Sequence, residues 1–159
     1  MPLVELRAYF VPIQPIRLVL GLLGLAAARA FGVAPSASLW LFGLGGAFFA
    51  LLMIKIRRRG AFFERAGSAQ EFDGTREVES RLRTLARSAY PSTITVAALT
   101  AIALPVNASL AALLAGILAG MAVVGGVFGY ELVQWEQSHG VRLLAPTGLS
   151  RELFVRPAE

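Results

Sequence analysis

Four apolar stretches, each near the length of a bilayer span, run along this chain, and its basic residues fall almost wholly to one side of them. A hydrocarbon core about 30 Å thick takes roughly 20 residues of helix. The stretches at about 16–34, 38–56, 91–106 and 110–130 approach that length. Threaded as two hairpins, they leave fourteen of the fifteen Lys and Arg residues on one face and only Arg29 on the other. Basic residues near span ends mark the cytoplasmic side. The expected fold is therefore an all-α integral membrane protein of four transmembrane helices, with both the N and C termini cytoplasmic.

Composition agrees. Hydrophobic residues make up 56% of the chain and charged ones 16%, whereas soluble domains carry about 25% charged residues. The formal net charge of +5 could suggest nucleic acid, but the same inward bias accounts for it, so no nucleic-acid partner is expected. The chain has no cysteine, which excludes disulfides, thiolate metal sites and iron–sulfur clusters. Leu18–Leu25 followed by Ala28-Arg29-Ala30 imitates a secretory signal with its cleavage site. It is read here as an uncleaved first helix.

Residues 1–14 form a short amphipathic lead-in closed by Pro12 and Pro15. Trp40 opens the second span at an interfacial position, and Lys55, Arg57, Arg58 and Arg59 stop it. Residues 57–90 form the one long polar connection, a cytoplasmic loop. Within it, Val78, Leu82, Leu85 and Ala89 recur at spacings of four, three and four. That periodicity predicts a cytoplasmic amphipathic helix over 76–89, capped by Asp73 or Thr75 and laced by Glu77–Arg81 and Glu79–Arg83 pairs. The third span is short, and Pro105 and Asn107 turn it into the fourth. Residues 131–159 are a cytoplasmic tail, basic and partly apolar, with a turn at Pro146-Thr147-Gly148. A faint repeat sets Ala8-Tyr9 before the first hairpin and Ala89-Tyr90 before the second.

The fourth span carries Ala112, Gly116 and Gly120 at four-residue intervals, then Gly125 and Gly129. Small residues in register let helix backbones approach closely in lipid. They are read as helix-packing positions, either within this chain or, at Gly116 and Gly120, against another subunit. The basic residues Lys55, Arg57, Arg58, Arg59, Arg76, Arg83 and Arg87 are candidate contacts for anionic lipid or a cytosolic partner. Tyr9, Tyr90, Tyr130 and Trp135 fit an inner aromatic belt.

Catalytic chemistry finds little to work with. No Asp, Glu, Lys or His lies in the middle of a span, and no nucleophile elbow, Walker loop or dinucleotide fingerprint occurs. Glu131, Glu136 and His139 are the one local metal candidate, but residue 131 is poorly placed on the shared helix, so no metal and no cofactor is expected. Thr93, Thr95 and Thr100 are the main polar residues at depth. The expected function is that of a non-catalytic accessory or scaffold subunit of a larger assembly in the inner (cytoplasmic) cell membrane. Its partners would be membrane lipids, other membrane subunits or itself, and a possible cytosolic protein. The alternative is a small homo-oligomeric channel or transporter with the three threonines lining a shared axis.

Overall fold

The chain enters through strand β1 (Leu3–Glu5) and the single-turn helix α1 (Leu6–Phe10), then turns at Val11-Pro12 into α2 (Ile13–Ala30). Gly32, at φ +94°, makes the tight turn into α3 (Pro35–Ile56). The helix α4 (Arg59–Gly67) and the two-residue strand β2 (Gln70–Glu71) follow. After them come α5 (Arg81–Ala89), α6 (Ser92–Val106) and the 32-residue α7 (Ala108–His139), then strands β3 (Val141–Pro146) and β4 (Phe154–Pro157). This computed structural model describes residues 2–56, 59–72, 74, 78–146 and 152–158, the side chains of 55, 56 and 59–61 excepted.

Three helical stretches are long and apolar enough to cross a membrane: Leu6–Ala30, Pro35–Ile54 and Ala108–His139. The pair α5 and α6, bent by 46° at its break, supplies a fourth if the two count as one span. The helices thus support a multi-pass membrane protein. At about 22 Å, α6 alone is shorter than a bilayer core. By contrast α7 runs about 48 Å, far enough to clear the core and carry its polar last turns beyond it.

α1, α2, α3, α6 and β3 all pack on α7. Asn107 caps its start, the side-chain Oδ1 accepting from the Leu110 N–H at 3.1 Å. Gly140, in the left-handed conformation that glycine adopts without strain, ends it. Between those points fifteen of its residues are buried, on more than one face, because α2, α3 and α6 all lie against it. The contacts run through small residues. A Cβ added at Gly21 would stand 2.8 Å from the Ala115 carbonyl oxygen, and one at Gly120 2.8 Å from that of Gly46. Cβ atoms at Gly116 and Gly45 would run into the backbone carbonyls of Phe42 and Leu113.

A small sheet closes one end, which the all-α expectation did not foresee. Its strand order is β1-β3-β4-β2. β3 is antiparallel to both β1 and β4, and β2 runs parallel to β4. Leu3, Leu144 and Phe154 are buried together, with Phe72 and Val78 against them. A second cluster of Leu6, Ala66, Leu132 and Leu143 glues the sheet to the end of α7. Phe62 and Phe63 of α4 join it by ring contacts to Phe128, at centroid distances of 5.2 and 6.1 Å.

The helix boundaries differ from the expected ones in instructive ways. The first span starts at Ile13 and ends at Ala30, and the second starts at Pro35. The loop helix begins at Arg81 rather than 76, because Val78 leaves helical geometry to bridge Leu3 and the Glu79 N–H donates to the Leu3 carbonyl at 2.7 Å. Ser80 therefore stands at the cap position, without a side-chain capping bond. Residues 73 and 75–77, which include Asp73, Thr75, Arg76 and Glu77, lie outside the described residues, as do 147–151 of the expected tail turn.

Candidate functional site

With Glu79 outside the helix, the expected Glu79–Arg83 pair is not formed. Glu79 instead meets Arg87 at 2.8 Å, and hydrogen bonding to that carboxylate raises the pKa of the Arg87 guanidinium above its ordinary value. Arg83 is exposed. Arg57, Arg58 and Arg76 fall outside the described residues, as do the side chains of Lys55 and Arg59. The cations singled out from the sequence are thus one exposed arginine, one paired arginine and a set the structure does not describe.

The glycines and alanines of α7 serve the chain itself. Gly116 and Gly120 abut Phe42 and Gly46 of α3, Gly125 abuts the Gln14 side chain, and Gly129 faces Val11. Ala112 is fully buried. At Gly116 and Gly120 the close neighbour is α3 of the same chain.

Polar groups among the spans are spent internally. Arg17 Nε donates to Thr93 Oγ1 at 2.7 Å, and its terminal nitrogen reaches the Ser88 carbonyl at 3.2 Å. Thr100 Oγ1 donates to the Val96 carbonyl at 2.8 Å. At the opposite end Arg29 Nε donates to Ser38 Oγ at 3.0 Å. Thr93 and Thr100 are buried whereas Thr95 is exposed, so the three threonines share no common face.

The polar end of α7 also turns inward on the protein. Glu136 is 2% exposed. Its carboxylate accepts from the Leu143 N–H at 2.9 Å and meets Arg142 at 3.2 Å, which fastens the first turn of β3 to the helix that precedes it. The His139 ring stacks on Trp135 at 4.2 Å. Trp135 packs, partly buried, against the core cluster, while Tyr90 and Tyr130 are exposed. Among the described residues no three His, Asp or Glu side chains gather as a metal would require.

A concave site lies apart from the packing and lipid-contact positions picked from the sequence. A cleft of about 570 Å³ opens between α1, α5 and the sheet. Among the described residues, Arg7 of α1, Arg81 of α5, Arg142 of β3 and Arg156 of β4 line it, with Glu5 the one acidic lining residue. Arg142 and Arg156 are directly opposite in the β3–β4 register, where like charges repel. Glu136 steadies the first, and Glu5, at 3.3 Å, the second. Among the described residues, neither Arg7 nor Arg81 pairs with a carboxylate.

The far wall of the cleft is apolar and leads elsewhere. Val11, Pro12, Leu82 and Leu85 line it, and Leu82 and Leu85 also line a second hollow, of about 560 Å³, between α2 and the α5–α6 pair. Among the described residues that hollow is walled by Ile, Leu and Ala, with Thr93 its one polar residue. The four arginines lie far apart in sequence, and each reads there as one more inward-side charge. Only strand pairing, which sets residue 142 against 156, reveals the grouping.

Comparisons with protein-family models, curated proteins and solved structures returned no match. The functional reading therefore rests on the geometry.

Proposed function

We propose that this protein is a four-span, non-catalytic subunit of a larger assembly in the inner cell membrane, with its sheet and both termini on the cytoplasmic side. The observation that carries the reading is how the bundle centre is filled. α7 occupies the axis and meets α2 and α3 at backbone distance, through Gly21 against Ala115 and Gly120 against Gly46. A helix gripped in this way leaves little room for a substrate chamber. The hydroxyls of Thr93 and Thr100, the Arg17 guanidinium and the Gln14 amide all bond within the chain, so the spans offer no relay of spare polar groups.

What the fold leaves outward is large and apolar. On α3, Trp40, Leu44, Phe48 and Leu51 are exposed at spacings of four, four and three, one continuous stripe along a helix that belongs in lipid or against another membrane protein. The channel alternative needs an oligomer whose shared axis is lined by polar groups, and the two buried threonines weigh against it.

The test is purification of the full chain from its native membrane in a gentle detergent, with sizing and identification of what stays bound. The reading expects a defined complex larger than the protein and its detergent belt. A stable, monodisperse monomer with no bound protein would overturn it, and solute flux through liposomes holding the protein alone would favour the channel instead.

A further inference from the structure

We propose that the arginine-lined cleft and the apolar hollow beside it form one binding site for an anionic diacyl phospholipid. The headgroup phosphate would lie among Arg7, Arg81, Arg142 and Arg156, and the acyl chains along the α2/α5–α6 hollow. This goes beyond the accessory-subunit reading and rests only on its placement in a membrane.

The charges argue for an anion. Four guanidinium groups face the cleft against Glu5, and Glu136 behind it engages Arg142. Among the described residues two positive charges have no carboxylate partner, those of Arg7 and Arg81. Arg142 and Arg156, opposite one another in the ladder, repel despite their carboxylate partners. The arrangement becomes favourable when a phosphate sits between cations, since guanidinium forks match phosphate oxygens two at a time.

The shape argues for a lipid rather than a soluble phosphate. A free anion needs no apolar annex. Here the basic cleft shares Leu82 and Leu85 with a hollow of nearly equal size. Leu82 is 82% exposed, although it lies on the face by which an amphipathic helix normally buries itself. α5 instead turns Thr84 and Ser88 inward, leaving its leucines between the arginines and the hollow. The hollow then follows α2 from Ile13 to Leu20 and α6 from Thr93 to Ala98. One end is charged and at the membrane surface, the other dry and along the spans, which is the order of a phospholipid's own parts.

The experiment is a titration of the purified full chain in neutral detergent with dioleoyl phosphatidylglycerol and, separately, dioleoyl phosphatidylcholine, with bound lipid counted by native mass spectrometry. Wild type is expected to bind the anionic lipid more tightly. Arg7→Gln with Arg81→Gln, which breaks no internal ion pair among the described residues, is expected to weaken that binding about thirtyfold, two basic contacts' worth. Arg83→Gln, on the same helix but outside the cleft, is expected to leave it unchanged. Ala98→Phe, which fills the hollow from its exposed side, is expected to weaken it with all four arginines intact.

Equal binding of the two lipids overturns the proposal. So does an Arg83→Gln loss as large as the double variant's. Displacement of the lipid by millimolar inorganic phosphate, together with an inert Ala98→Phe, assigns the cleft to a soluble phosphate and also overturns it. Because no partner protein enters the assay, its outcome is independent of whether a larger assembly exists.

Discussion

Gly45 and Gly116 are where α3 and α7 come closest, and a single methyl at either would meet backbone, which cannot rotate away. Gly43 and Gly126 lie on the same two helices, and an added Cβ at either finds nothing within 4 Å. Overpacking a close-fitted contact costs about 1–3 kcal/mol. Gly116→Ala and Gly45→Ala are accordingly expected to lower the melting temperature of the detergent-solubilised protein, and Gly43→Ala and Gly126→Ala to leave it nearly unchanged. Four equal shifts would mean that the helices do not meet at these glycines. The four-residue spacing of the small residues was legible from the sequence. Which neighbour each one meets was not, because a helix in lipid has the same reason to present glycine to its own chain as to another.

At the scale of the element, α6 is the helix that needs explaining. Fifteen residues do not span a bilayer core unaided, and the length of the apolar stretch alone revealed this. The remedy was not legible. Arg17 lies one turn into α2 and reads from the sequence as a snorkelling cation. In the folded chain it reaches across to α6, bonding Thr93, 2% exposed, and the last turn of α5. The 46° bend between α5 and α6 is thereby tied to α2 by a charged donor. Arg17→Ala removes these bonds and leaves the Thr93 hydroxyl without its donor. A loss of about 1–2 kcal/mol is expected, given the modest worth of polar contacts in membrane proteins, while Arg17→Lys, retaining charge and reach, recovers part of it. Guanidinium titration of the solubilised protein measures both. An Arg17→Ala variant as stable as wild type would leave the short helix unexplained. The sheet was hidden for a related reason: β1 has three residues and β4 four. Neither shows the alternation that marks a strand, and β1 finds its partner, β3, at the other end of the chain.

At the scale of the molecule, the faint sequence repeat acquires a structural form. Leu3 and Val78 bridge each other in parallel, and each stands three residues before a short helix, α1 or α5, that leads into a hairpin. The order of bridge, short helix, span, turn and span then occurs twice, with α2 matched to α6 and α3 to α7. If both units cross as hairpins, a parallel bridge at their entries is expected to start them on the same face of the membrane. In the proposed topology that face is the cytoplasmic one, which the bias of the basic residues favours. With no native cysteine to interfere, single introduced cysteines can test it against a membrane-impermeant maleimide. Ser36→Cys and Ser109→Cys, at the starts of α3 and α7, are expected to react in intact cells stripped of any outer barrier. Ser68→Cys and Ser138→Cys, at the far ends of α4 and α7, are expected to react only after the membrane is opened. The reverse pattern would invert the protein. Labelling of Ser68→Cys and Ser109→Cys from the same side would break the four-span thread, because α5 and α6 would then fail to cross and the arginine cleft would lose its place at the membrane surface.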